Sequence, residues 1–151
     1  MTVVVDSSAA VKWYVPEDDA ESAVKLRDWA VAGGHRLEAP EYFLVEIAAV
    51  LWKKTVIMRQ LKVEDCAAIL GEIGGSGVAT VPDRILLEDA LDIAIETGVT
   101  VYDSLYLALA QKTGSCFVTA DTGLQRKLAV RFRVAGLHNW EKVLSKAAKG
   151  G

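Results

Sequence analysis

Histidine and cysteine are scarce in this 151-residue chain, with two of each. His35, His138, Cys66 and Cys116 stand singly, with no CxxC pair and no spacing that builds a zinc cage. No disulfide framework is available either, so the expectation is two buried free thiols in a reducing cytoplasm. Three Pro and twelve Gly are too few for a collagen-like or low-complexity chain. Positive charge is not in excess: seventeen Lys and Arg face twenty Asp and Glu, a net charge of -3. That balance argues against a protein that grips nucleic acid through bulk charge, although a local basic groove remains open. Long apolar runs are missing as well. The first apolar stretch meets Asp6 almost at once and lacks the basic start of a secretory signal. The longest candidate span, residues 42–52, is too short for a membrane helix and contains Glu46. No membrane association is expected.

The residues that are present are 52% hydrophobic and 25% charged, the composition of one folded domain. Residues 1–145 are read as that domain, and residues 146–151 as a flexible tail. Short β-branched or apolar runs at 3–5, 36–39, 78–81, 99–101, 116–119 and 133–135 read as strands. Helical spacing covers 7–14, 17–32, a long segment opening at Pro40, 62–73, 83–97, 103–113, 121–129 and 138–148. In the Pro40 helix, Leu44, Ile47, Ala48, Leu51 and Trp52 form one apolar stripe, and Lys53-Lys54 complement its C-terminal dipole. Strands that alternate with helices imply an α/β fold: a three-layer α/β/α sandwich around a central parallel sheet. Sites in such sheets form at the carboxyl ends of the strands.

Four acids lie in segments expected to be buried. Asp6 ends Val3-Val4-Val5 and Asp121 ends Phe117-Val118-Thr119-Ala120. Asp103 follows Val99-Thr100-Val101-Tyr102 and opens a helix, while Glu46 has apolar neighbours on both sides. Buried carboxylates are costly unless they are paired or bind a cation. Taken singly, each of the three aspartates reads as a helix N-cap, and Glu46 as a solvent-facing or Lys-paired residue. Taken together they form a candidate cluster at one edge of the sheet. Like charges in such a cluster raise one another's pKa, and a divalent cation relieves the conflict. Oxygen-only ligands select Mg²⁺ or Mn²⁺ over zinc. Such ions neutralise a phosphodiester, hold an attacking water and stabilise the leaving oxygen.

In order and spacing, these residues resemble those of the PIN-domain nucleases, in particular the VapC-type toxins of toxin–antitoxin pairs. The resemblance is carried by Val3-Val4-Val5-Asp6-Ser7-Ser8-Ala9 and by Glu46 in its Glu-Ile-Ala-Ala-Val-Leu helix. It continues through Tyr102-Asp103-Ser104-Leu105-Tyr106-Leu107-Ala108-Leu109-Ala110 and Val118-Thr119-Ala120-Asp121. It implies an Mg²⁺- or Mn²⁺-dependent endoribonuclease with the catalytic quartet Asp6, Glu46, Asp103 and Asp121. Asp6, Asp103 and Asp121 would be metal ligands, and Glu46 a general base or water-orienting group. Ser7 and Thr119 would support the acids by hydrogen bonds, with Ser7 equally readable as a cap of the first helix. Thr122 and Gly123 follow Asp121 where some members carry another Asp or Asn, so one metal ion or two stays open. The resemblance further implies a VapB-type antitoxin laid across the groove, an RNA substrate and a homodimer.

With a negative net charge, RNA contact falls to local cations, for which Lys12, Lys53, Lys54, Arg59, Arg126, Lys127 and Arg131 are candidates. Taken singly, each reads by default as a solvated surface charge. Trp13 and Trp52 are candidates for stacking on bases or, alternatively, for core and interface positions. A non-catalytic module whose acids cap helices and dock a basic partner is the alternative from a different class. A receiver-type phosphorylation domain needs a phosphoacceptor Asp at a mid-chain strand end, and neither Asp65 nor Asp83 sits that way.

Overall fold

The computed structural model describes residues 1–149 and the side chains to residue 146. Five strands, β1 (Thr2–Val5), β2 (Arg36–Pro40), β3 (Ala79–Val81), β4 (Cys116–Thr119) and β5 (Val134–Gly136), form one sheet. Their order is β3-β2-β1-β4-β5 and every pairing is parallel. The chain builds outward from β1 on one side and then returns to build the other. The order therefore reverses between β1 and β4, which makes that gap the topological switch point, where open α/β sheets hold their ligands. Val3, Val4 and Val5 are all fully buried. Successive strand residues face opposite sides, so both faces of the sheet are covered, as the expected α/β/α sandwich requires.

The helices are α1 (Ser7–Ala10), α2 (Ala20–Ala32), α3 (Tyr42–Trp52), α4 (Val63–Gly74), α5 (Leu87–Thr97), α6 (Val101–Thr113), α7 (Thr122–Leu128) and α8 (Trp140–Lys149). Among the described residues, no single helix is long and apolar enough to cross a membrane. The tail expected from Lys146 begins inside α8, and Gly150 and Gly151 lie outside the described residues. Seven consecutive residues of α6, Ser104 to Ala110, are buried. A helix apolar on all sides belongs in the interior, and α6 packs on α5, β1, β2 and β4.

Several expectations are corrected. Pro40 does not open a helix. It closes β2, paired with Val81 of β3, at a strand end where its missing N–H costs little. The core face of α3 is Phe43, Ile47 and Leu51, whereas Leu44, Ala48 and Trp52 of the expected stripe are exposed. Lys53 and Lys54 do not end the helix, which continues as a π-turn over Lys53–Ile57. Residues 99–101 form no strand. Gly98 ends α5 in the left-handed conformation, and Thr100 already caps α6, its hydroxyl accepting the Asp103 N–H at 3.1 Å. Cys116 is buried as expected, but Cys66 is only partly so, and both thiols are free.

Thr100→Ala should destabilise the protein by about 0.5–2 kcal/mol through loss of this cap. Urea unfolding of the variant beside the parent measures it.

Candidate active site

The switch point is where β1 and β4 deliver their last residues, and Asp6 follows β1 directly. Its carboxylate is buried and accepts three hydrogen bonds: Ala9 N–H at 3.1 Å, Ser8 Oγ at 2.6 Å and Thr119 Oγ1 at 2.5 Å. The first of these is an N-cap on α1, so the capping role and the cluster role coexist in one residue. The two hydroxyls are aimed by the chain after β4. Ser8 Oγ accepts the Ala120 N–H at 3.0 Å, and Thr119 Oγ1 accepts the Asp121 N–H at 3.1 Å. Each hydroxyl proton is then directed at Asp6. Burial works against these donors and prevails, with a smaller contribution from Glu46, and the Asp6 carboxyl is pushed up to about 7.

Glu46 reaches the cluster from α3. Ser7 donates to its Oε1, and Tyr106 donates to the same oxygen at 2.9 Å. Ser7 thus supports an acid, and the helix cap falls to Asp6. Because both donors land on Oε1, Oε2 is left as the free acceptor among the described residues. The Tyr106 ring stacks on Phe117 of β4, with centroids 5.6 Å apart and planes 10° from parallel. Its phenol is held well above the usual range by burial and by the Glu46 and Asp6 charges, so it is a fixed donor.

Asp103 lies in the first turn of α6, half-buried. With Thr100 acting as the cap, the N-cap reading of Asp103 fails and its carboxylate is free for other contacts. Burial raises its pKa, and the Glu46 and Asp121 charges add to the rise. Asp121 is exposed and not buried as expected. It caps α7 by accepting the Leu124 N–H at 2.9 Å. The Glu46 charge thus reaches both Asp6 and Asp103, and the Asp121 charge reaches Asp103. In the positions they hold, no three His, Cys, Asp or Glu among the described residues are grouped closely enough to grip a metal ion. The donor set still matches a hard divalent cation. It is all oxygen, its members repel one another, and none is in an ion pair among the described residues.

The basic candidates divide. Lys12 and Lys54 are not free surface cations, because both are paired with Glu17. Arg131 pairs with Glu96 at 2.6 Å. Lys53, Arg59, Arg126 and Lys127 are exposed. Trp13 belongs to the core, its Nε1–H donating to the Ala23 carbonyl at 3.0 Å, while Trp52 is 57% exposed. Sequence reasoning missed Ser8, Tyr106, Tyr42 and Tyr102. Tyr106 follows Asp103 by three positions, one helical turn, and that spacing was the available signal. Tyr42 stacks on Tyr102 at 5.0 Å, and charge from Glu46 and Asp103 reaches the Tyr42 phenol.

The Asp6 carboxyl binds its proton more tightly folded, near 7, than unfolded, at 3.8. Between those values the folded state holds more protons, so stability falls as pH rises through that window. The full loss, about 4 kcal/mol on this shift, is reached above pH 7. In EDTA, the parent should unfold at lower urea at pH 8 than at pH 5. Asp6→Asn should flatten that difference and be the more stable protein at pH 8. Parallel curves for the two proteins would contradict the assignment.

Comparison with known proteins gives the chain's family and fold. A family model described as PIN domain matches residues 3–129. Ribonuclease VapC3 of Pyrobaculum aerophilum is 37% identical over 130 residues, which is 84% of this chain and 95% of the relative. The crystal structure of PAE2754 from the same organism superposes with a TM-score of 0.67 at 23% identity, covering 98% of this chain and 96% of that one. VapBC2 from Rickettsia felis, solved bound to a DNA fragment from its promoter, gives a TM-score of 0.62 at 13% identity over 90% of this chain and 98% of that one. At these identities the two structures show a shared fold.

Proposed function

The chain belongs to the PIN-domain family in its VapC-type branch, and from that premise we propose that it is a metal-dependent endoribonuclease, the toxin of a toxin–antitoxin pair. The observation that carries the reading is the buried Asp6 carboxylate at the switch point, ringed by three donors and neighboured by Glu46, with Asp103 and Asp121 next in line. Nothing in a helix cap requires a second and third acid beside it.

Asp6, Asp103 and Asp121 would hold Mg²⁺ or Mn²⁺. When bound, the ion supplies neutralisation of the phosphate charge and a lowered pKa for water. The chain's own residues supply placement. Ser8 and Thr119 keep Asp6 aimed and accept backbone N–H groups in return. Ser7 and Tyr106 hold Glu46 by Oε1, which leaves Oε2 to orient an attacking water or take its proton. The 37% identical relative is a ribonuclease, which supports RNA as substrate. Two free thiols fit a cytoplasmic setting.

The partner surface is apolar. Leu44, Val45, Trp52, Val56, Ile57 and Met58, on α3 and the turn after it, are all exposed. Such a face suits an antitoxin segment or a second copy of the chain. An Arg or Lys of an antitoxin entering the acid cluster would compete with the metal.

A second reading, an inert module docking a basic partner, is favoured by two observations. Asp121 already caps α7, and no three acids close on a point. Activity separates the two. Single-stranded RNA should be cut in Mg²⁺ or Mn²⁺ and spared in excess EDTA. Asp6→Asn and Asp103→Asn should abolish cutting with the fold retained. Glu46→Gln should lower kcat by about 10²–10⁴-fold. Cleavage that persists in EDTA would remove the metal from the mechanism.

A further inference from the structure

Lys54 falls on the core stripe of α3. Phe43, Ile47 and Leu51 are its buried predecessors, and the π-turn carries the stripe on to Lys54, which is only 7% exposed. A buried lysine requires an acceptor, and among the described residues Lys54 has one, the Glu17 carboxylate. The same carboxylate also takes Lys12, at 3.2 Å, while Lys12 donates to the Asp18 carbonyl at 2.8 Å. Two ammonium groups thus share one acid, and the trio carries a surplus positive charge. A purely structural lysine needs a partner, but it does not need a second lysine beside it. Burial and the Lys12 charge both pull the Lys54 pKa down, as expected for two cations held too close.

The trio borders a cavity of about 350 Å³ whose lining includes Ser8 and a second carboxylate, that of Asp121, so two lysines meet two acids there. Two of its lining residues belong to the site already described: Ser8 donates to Asp6, and the Asp121 charge reaches Asp103. Glu17 sits in the loop between Trp13 and α2, outside any helix or strand. Its side chain can leave without breaking an element. A phosphodiester bears the same single charge as the carboxylate and offers oxygens to both lysines.

We propose that Lys12 and Lys54 form a subsite for a backbone phosphate of single-stranded RNA, next to the scissile position, and that Glu17 occupies it as an internal stand-in until RNA displaces it. The inference rests on the ribonuclease reading and adds a binding site to it. Glu17 is then a brake on substrate binding, and Lys12 and Lys54 are positioning residues.

The test is fluorescence anisotropy of the full chain with a labelled mixed-sequence single-stranded oligoribonucleotide in EDTA, across a salt series. Glu17→Gln should tighten binding by about tenfold, the scale of one hydrogen bond to a charged group. Lys12→Met and Lys54→Met should each weaken binding and reduce the slope of log K against log salt by about 0.7. Should Glu17→Gln or Lys54→Met fold poorly, Lys12→Met, altered at a position less buried than Lys54, still reads the slope. A second measurement is thermal unfolding with inorganic phosphate, which should raise the midpoint of Glu17→Gln more than that of the parent. Unchanged slopes in the folded lysine variants, or unchanged or weaker RNA binding by folded Glu17→Gln, would overturn the subsite while leaving RNA cleavage by the parent intact. Polyglutamate that competes as well as RNA would assign the pocket to a protein carboxylate and also overturn the proposal. A parent that neither binds nor cuts RNA would bring down the ribonuclease reading and the subsite with it.

Discussion

A single carboxylate, taken out of water at the point where the sheet reverses its order, sets the terms for its surroundings. Asp6 follows three fully buried valines and has nowhere else to go. Unsatisfied, it would be among the most costly groups in the molecule. The protein surrounds it with two hydroxyls and a backbone N–H, and it fixes the hydroxyls by making them accept from the chain beyond β4. The arrangement welds the ends of β1 and β4 together. It also falls short of full compensation, because burial still outweighs the three donors. A carboxylate left wanting positive charge is what a cation-binding centre requires before its cation arrives.

The other acids are held by different means, and the differences suit different roles. Glu46 rides on α3 and is pinned from two sides, by Ser7 at the sheet edge and Tyr106 from α6. Asp103 is released from capping because Thr100 does that work, and Asp121 keeps its cap and its exposure. Tyr106 links the two halves of the site. It touches Glu46 with its hydroxyl and lies flat on Phe117 of β4 with its ring, so the position of α3 is referred to the central sheet.

Much of this was readable from the chain alone, and the failures have physical causes. A β-branched run ending in Asp marked the site on β1, because an acid at the end of a buried strand is costly to keep unless something nearby uses its charge. The run Val99-Thr100-Val101 carries the same signature and misled, since strand propensity reports fit to a pleated, half-buried surface. With α5 ending at Gly98 and α6 beginning at Val101, no length remains there for a strand. The stripe on α3 was right at Ile47 and Leu51 and wrong at Leu44, Ala48 and Trp52, because seven of its eleven residues are Phe, Leu, Val, Ile or Trp, which blurs the periodicity. Lys54 was read as a surface cation closing a helix, whereas the π-turn kept it on the buried face. The three-residue step from Asp103 to Tyr106 was visible but had no stated purpose until Glu46 was in place.

The burial of α6 on all sides has a consequence for how the molecule comes apart. Partial opening begins where few apolar contacts hold, and α3 with its π-turn and α4 presents the most exposed apolar side chains to solvent. A sub-global opening that peels this peripheral unit away would carry Glu46 off while Asp6 and Asp103 stay seated on the sheet and α6. Amide protons of α6 would then be the last to exchange with solvent, and those of α3 among the earlier ones. The centre is thus divided between a half seated on the sheet and α6 and a half carried by α3, whose outer face is exposed apolar surface. A binding partner that grips the α3 side acts on the half that carries Glu46.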